Sequence, residues 1–261
     1  MYESGYDDER GFLSGKLEYH LYKVVEGVPI VWKTEKMYYS WSTRFSMISG
    51  NHSYINVPDP EMKDQAYEYY RIYNSQNGQR EMLFYVPQVN YNGKVLNDLA
   101  ALDQMNPDKL VEFAISFDKS YTQSEVEQML PDGLSQVWYW VDTYDHKEKL
   151  EFVTSETSSE RYAIPESAGQ VYGYGRNWEG IGEPAPKDFL SSLEFGISRN
   201  GKYVKEFQRI WDYLRQDKAA PEEDDVQLLG VVVTGTAKEL QSLQGQPYVH
   251  AAVLGAVVDK Y

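Results

Sequence analysis

AISFDKSYTQSEVEQML at residues 114–130 and GVVVTGTAKELQSLQ at residues 230–244 are the two stretches that decide the fold. Each begins with an apolar run, as expected for a buried strand, and continues into a segment with apolar residues at helical spacing. Between the two parts stands a hydroxyl residue followed closely by an acidic residue, which is the pattern of a helix start. The shared order predicts a strand followed by a helix in both places.

The two predicted helices have candidate N-terminal caps. In the first stretch the cap is Thr122 or Ser124, and Glu125 falls in the first turn. In the second stretch the cap is Thr234 or Thr236. Hydroxyl side chains at these positions accept hydrogen bonds from N–H groups that the first helical turn leaves unpaired.

A further strand is predicted after each helix, at residues 137–142 and 249–258. The chain then contains two strand–helix–strand units, and two such units packed together form a ferredoxin-like split βαβ sandwich. The predicted fold class is therefore α+β. The alternative interpretation is that two unrelated short motifs resemble each other by chance.

The remaining segments predict the domain organisation. Residues 1–90 predict a β-rich N-terminal region, in which strand-forming runs flank the Glu26-Gly27 turn signal and favour a hairpin. Apolar residues at helical spacing predict a short helix over residues 60–73. Residues 91–261 are predicted to form the α+β domain, which a long helical insertion at residues 145–225 interrupts.

Composition excludes several classes of function. The formal net charge of -15, from 40 acidic and 25 basic residues, disfavours nucleic acid and anionic lipid as partners. The absence of cysteine excludes disulfides, thiolate zinc sites and cysteine nucleophiles. No apolar run approaches the roughly 20 residues of a membrane span, and the polar start is no signal peptide. The chain is then either cytosolic or an excised soluble part of a longer protein.

Catalytic motifs are not found. The sequence contains no Walker motif, no GxGxxG after a strand, no GxSxG and no HExxH, and its four histidines are far apart. No catalytic residue, metal ligand or cofactor is therefore predicted. Carboxylate pairs remain open in so acidic a chain, because glycoside hydrolysis needs two of them at a defined separation.

Aromatic residues supply the predicted ligand-binding positions. Trp138 and Trp140 alternate along a strand and so point to one face, either as core packing or as a ligand platform. A second candidate is the glycine-flanked aromatic stretch YGYGRNW, which predicts either a mobile binding loop or a packed lid. Its candidate residues are Tyr172, Tyr174, Arg176 and Trp178.

Four blocks in a fixed order carry a resemblance to a known family. They are QREMLFYVPQVNY at 79–91, VEFAISFDKSYTQSEVEQMLP at 111–131, WYWVDTY at 138–144 and GVVVTGTAKELQSL at 230–243. Together they resemble the sigma factor regulator C-terminal family over roughly residues 79–258. None of the blocks is a catalytic signature, and the resemblance implies no catalytic residue.

The resemblance implies the extracytoplasmic, sensory part of a membrane-bound anti-sigma factor of Gram-positive bacteria. In that layout a cytoplasmic segment, absent from this chain, binds the sigma factor, and one helix crosses the membrane. Met1 is then not the native start, and an extracytoplasmic ligand or protein is the expected partner. Two alternatives stay open: an extracellular carbohydrate-active or cell-wall enzyme, and a module that forms homo-oligomers through an edge strand.

Overall fold

The structure is a computed structural model and describes residues 2–10, 14–40, 43–46, 54–59, 70–153, 161–175, 183–199 and 201–259. Its strands are β1 (Tyr2–Arg10), β2 (Ser14–Val25), β3 (Val28–Ser40), β4 (Thr43–Ser46), β5 (Tyr54–Pro58), β6 (Tyr70–Asn74), β7 (Leu83–Phe84), β8 (Leu110–Tyr121), β9 (Ser135–Val141), β10 (Phe152–Val153), β11 (Arg161–Tyr162), β12 (Glu166–Ser167), β13 (Gly173–Gly175), β14 (Leu228–Thr236) and β15 (Val249–Val258). Its α-helices are α1 (Gln123–Met129), α2 (Pro186–Ser198), α3 (Val204–Arg215) and α4 (Ala237–Leu240).

A five-stranded antiparallel sheet forms the centre, in the order β13-β9-β14-β8-β15. The two predicted strand–helix–strand units are present as β8-α1-β9 and β14-α4-β15. Strand β14 of the second unit lies between β8 and β9 of the first, which is the interleaving of a ferredoxin-like split βαβ fold. The predicted α+β class is confirmed, with β13 as an added strand at one edge.

The two units start their helices with the same device. The Thr122 side chain accepts a hydrogen bond from the Glu125 N–H, and the Glu125 carboxylate accepts one from the Thr122 N–H at 2.7 Å. Thr236 and Glu239 form the same reciprocal pair, with a backbone bond of 2.8 Å. Both are capping boxes, so each helix start is encoded by four consecutive residues.

All four α-helices cover one face of the central sheet. Because side chains alternate along a strand, every second residue of β8 enters this layer, beginning with Val111. The helices contribute a matching apolar stripe, which includes Ile210 and Leu214 of the amphipathic α3. The resulting core is the largest in the described part of the chain.

The opposite face of the sheet is covered by an irregular segment that contains β7. Met82, Phe84 and Val86 pack there against Trp140 and Val232 of the sheet. Both faces are therefore covered, which explains why the first eight residues of β8 and the first eight of β14 are all buried.

The β2–β3 hairpin turns at Glu26-Gly27 as predicted. Both turn residues have positive φ angles, 47° and 82°, as a tight two-residue hairpin turn requires. Val25 and Trp32 are buried beside the end of the sheet, where they contact a cluster that includes Ala256. The helix predicted over residues 60–73 is wrong for its last four positions, which belong to β6, while residues 60–69 lie outside the described part.

The outer edge of β15 is already hydrogen-bonded within the chain. The Leu254 N–H donates to the Asp98 carboxylate at 3.0 Å, and the Val257 N–H donates to the Gln79 side chain at 2.9 Å. The Asp98 carboxylate is itself paired with Arg71 at 2.8 Å. An edge strand whose N–H groups are satisfied in this way does not offer a ladder to a second chain.

We expect Thr122→Ala and Thr236→Ala each to lower the free energy of unfolding by about 1 kcal/mol, because each removes a cap. Urea denaturation of the purified chain measures this. Ser124→Ala, at the second residue of α1, is the control and should change the free energy of unfolding by less than about 0.5 kcal/mol. A larger loss for Ser124→Ala than for Thr122→Ala would show that the cap has been assigned to the wrong hydroxyl.

Candidate functional site

Strand β9 places its two tryptophans on the irregularly covered face, away from the helices. Trp140 is fully buried and its ring lies 5.3 Å from that of Phe84, in an edge-on arrangement. Trp138 is half-buried and lies 5.8 Å from the same ring. Of the two interpretations from sequence, core packing therefore applies to Trp140, whereas Trp138 stays partly accessible.

The glycines of the YGYG stretch make room for Trp138 of the neighbouring strand β9. Gly173 and Gly175 pair with Trp140 and Trp138 in the β13–β9 ladder. A Cβ atom on Gly173 would lie 2.2 Å from Cζ2 of Trp138, and one on Gly175 would lie 3.0 Å from Cδ1 of the same ring. The indole of Trp138 therefore lies across this stretch of backbone, and only glycine leaves room for it.

The tyrosines of the same stretch face the helices. Tyr174 is buried between the rings of Tyr139 and Phe189 and donates a hydrogen bond to Gln123 at 2.9 Å. Burial raises the pKa of Tyr174, so the phenol stays protonated. Burial, followed by the charge of Glu206 on α3, also raises the pKa of Tyr172.

The structure describes four of the six predicted ligand-binding residues. Tyr172 and Tyr174 point to the helical layer, Trp140 belongs to the core, and Trp138 lines a cavity. Arg176 and Trp178 lie outside the described residues. Residues 173–175 of the YGYG stretch, which the sequence predicted as a mobile binding loop or a packed lid, form the edge strand β13.

The cavity next to Trp138 has a volume of about 270 Å³. Met82, Phe84 and Val232 form apolar walls, and the segment before β13 closes one side. Lys23 of β2 and Glu112 of β8 add two charged groups. The cavity therefore lies where the N-terminal hairpin, the sheet and the insertion meet.

Lys23 and Glu112 form a buried ion pair. Their Nζ and Oε2 atoms are 3.1 Å apart, and the two side chains are only 14% and 7% exposed. The Lys23 ammonium also lies 3.6 Å from the centre of the Trp32 ring, close enough for a cation–π contact. Oε2 of Glu112 accepts a second bond from the Ala256 N–H at 3.2 Å, inside a β-bulge.

Glycine at the same bulge lets the carboxylate approach the backbone. A Cβ atom on Gly255 would lie 2.5 Å from Oε2 of Glu112. Both described hydrogen bonds of the Glu112 carboxylate end on Oε2, and the same side chain lines the cavity. The cavity wall therefore combines a carboxylate with the indole of Trp138.

Other buried carboxylates of the described part have structural partners. Asp142 bonds to Lys147 at 2.9 Å and also contacts Tyr213. Asp98 pairs with Arg71 and Arg80. Within the described residues, no group of three or more His, Asp or Glu side chains is arranged to hold a metal ion.

Sequence reasoning missed both charged residues of the cavity. Glu112 carried a signal, since it interrupts the apolar run of β8, and a carboxylate at a core position needs a partner. Lys23 carried none, because a lysine within a half-buried hairpin strand is usually solvated at its tip.

The described residues form an α+β domain with a small cavity beside its central sheet. A family model described as sigma factor regulator C-terminal matches residues 102–256, which is more than half of the chain. The chain therefore belongs to the sigma factor regulator C-terminal family, and membership supports a regulatory anti-sigma role. No curated protein and no solved structure gives a significant match. Within the described residues, no helix has the length and apolar character to cross a membrane.

Replacing Gly173 by alanine should destabilise the protein by about 1–3 kcal/mol, because the new methyl group overlaps the Trp138 ring and the Tyr139 carbonyl. Thermal unfolding checks this, with Gly169→Ala as a matched control. A Cβ atom at Gly169 meets no atom within 4 Å, so that variant should unfold like the wild type. Equal melting temperatures for the two variants would contradict the placement of Trp138.

Lys23→Met should lower the free energy of unfolding by about 3–5 kcal/mol, since it leaves the Glu112 carboxylate buried without its cation. The double variant Lys23→Met with Glu112→Gln should regain most of that loss, which a double-mutant cycle in urea would measure. Lys36→Met is the control, because Lys36 is 44% exposed and pairs loosely with Glu18 at 3.6 Å. Additive effects of the two cavity substitutions would contradict the pairing.

Proposed function

We propose that this chain is the extracytoplasmic, non-catalytic sensory and regulatory domain of a membrane-anchored anti-sigma factor of a Gram-positive bacterium. The observation that carries the proposal is the family match over residues 102–256. That range contains the central sheet from β8 to β15 except for the last two residues of β15, together with all four α-helices. The sigma factor itself is bound by a cytoplasmic segment outside this chain.

The position of the cavity fits a sensory role. A sensor needs two states whose balance a ligand shifts. Lys23 and Glu112 belong to different parts of the chain, the N-terminal hairpin and the central sheet, and both line the cavity. In the proposed layout the N-terminal region lies between the membrane span and the regulator domain. An occupant of the cavity would therefore contact both the sensing domain and its connection to the membrane.

The two alternative functions have less support. Glycoside hydrolysis uses two carboxyl groups roughly 5–10 Å apart across the substrate. Among the described residues of the cavity wall, Glu112 supplies the one carboxylate, and its charge is already paired with Lys23. Homo-oligomerisation through β15 is disfavoured because its edge N–H groups are bonded to Asp98 and Gln79.

The proposal predicts where the domain lies and what its removal does. In intact protoplasts that carry the full-length protein, external protease should degrade residues 102–256 and spare the cytoplasmic segment. Deleting these residues should change the response of a sigma-dependent reporter to inducing conditions, while the sigma factor still co-purifies with the cytoplasmic segment.

Two results would contradict this proposal. One is protection of the domain from external protease until the membrane is permeabilised. The other is stoichiometric binding of the sigma factor by the purified 261-residue chain, since the proposal assigns that contact to a different segment. A variant with Gly169→Ala in the otherwise intact protein controls for nonspecific effects of mutation on the reporter.

A further inference from the structure

We propose that the cavity at the joint of β2, β8 and β9 binds a small organic cation, an amine with an apolar body. The ammonium group would bond to the Glu112 carboxylate, and the apolar body would lie against Trp138. This inference deepens the proposed function by naming a ligand class, and it rests on that function only for the biological role of the ligand.

The size and walls of the cavity set the kind of ligand. Its volume of about 270 Å³ lies just below the ~300 Å³ at which pockets for drug-sized ligands begin, so the occupant is a small molecule. Met82, Phe84 and Val232 offer apolar surface. Trp138 adds an indole that the glycines of β13 hold in place, and indole faces attract cations more strongly than other side chains do.

The charged groups near the cavity indicate that its ligand carries a positive charge. Glu112 and the nearby Glu81 both lie in the field of Lys23, so two carboxylates share one ammonium group. Burial raises the pKa of Glu81, and the charge of Glu112 raises it further. A cationic ligand would be attracted to the Glu112 carboxylate of the cavity wall, whereas an anion would be repelled by it and would compete with it for Lys23.

The ammonium group of Lys23 already makes the two kinds of contact that are proposed for the ligand. The Lys23 ammonium lies between the Trp32 ring, at 3.6 Å from its centre, and Oε2 of Glu112, at 3.1 Å. A ligand between Trp138 and the Glu112 carboxylate would repeat this combination of an aromatic ring and a carboxylate. The carboxylate is more than nine-tenths buried, so hydrogen bonds to it are stronger than in water.

Three probes of matched shape and different charge test the proposal: phenethylamine, 2-phenylethanol and phenylacetate. Titration of the purified chain, followed by protein-observed NMR, should show phenethylamine binding at least about tenfold more tightly than the other two, as expected for one buried charge-assisted hydrogen bond. The Glu112→Gln variant should bind phenethylamine only as tightly as it binds 2-phenylethanol. Trp138→Leu should weaken all three probes.

Two further variants make the experiment decisive. Ala168 lines the cavity from an exposed position, so the larger side chain of Ala168→Phe should fill the cavity and abolish binding without disturbing the core. This variant tests the proposal even if Glu112→Gln folds poorly. Glu194→Gln, on the exposed surface of α2, is the matched charge control and should leave every affinity unchanged.

Equal affinities for the three probes, or an amine preference that survives both Glu112→Gln and Ala168→Phe, would overturn the proposal. Absence of binding by any probe at millimolar concentration would also overturn it. None of these outcomes affects protease accessibility or the sigma-dependent reporter. The proposed regulatory role and the proposed ligand class are therefore tested independently.

Discussion

A carboxylate in the middle of a buried strand constrains much of this structure. Glu112 lies between Val111 and Phe113, both fully buried, on the strand next to the edge of the central sheet. An unpaired carboxylate at such a position would be strongly unfavourable, so the fold must bring a cation to it. The cation is Lys23, which lies 89 positions earlier in the chain. The β2–β3 hairpin is thereby fixed at the end of the sheet, and Trp32 is buried with it.

The central units could be predicted because their signals are local. Strands β8, β14 and β15 contain long apolar stretches, since the helices cover one face of the sheet and the β7 segment covers the other. The starts of α1 and α4 are encoded by Thr and Glu three positions apart. The amphipathic helix α3 lies within the helical insertion predicted for residues 145–225. The order of the strands in the sheet could not be predicted from the sequence and comes from the structure alone.

The remainder depends on contacts between distant residues. Tyr70–Asn74 has aromatic residues at positions that fit a helix, yet pairing with β5 makes it a strand. The YGYG stretch was predicted to be a mobile binding loop or a packed lid. Its glycines are explained by an indole on the neighbouring strand, and no periodicity in the sequence shows that pairing. The division at residue 90 stays a prediction, although Met82 and Phe84 already pack on the central sheet.

Because Lys23 and Glu112 are distant in sequence, the cavity that both residues line connects two parts of the chain. Glu112 serves three groups at once: the Lys23 ammonium, the bulge N–H of Ala256 and the cavity itself. A cation bound at the Glu112 carboxylate would weaken the attraction that Lys23 experiences, and the attachment of β2 to the sheet depends on that attraction. If a bound cation weakened the attachment of the hairpin by some factor, linkage requires that release of the hairpin weaken or strengthen cation binding by that same factor. An ion pair between the hairpin and the sheet would in that way couple occupancy of the cavity to the attachment of the N-terminal region.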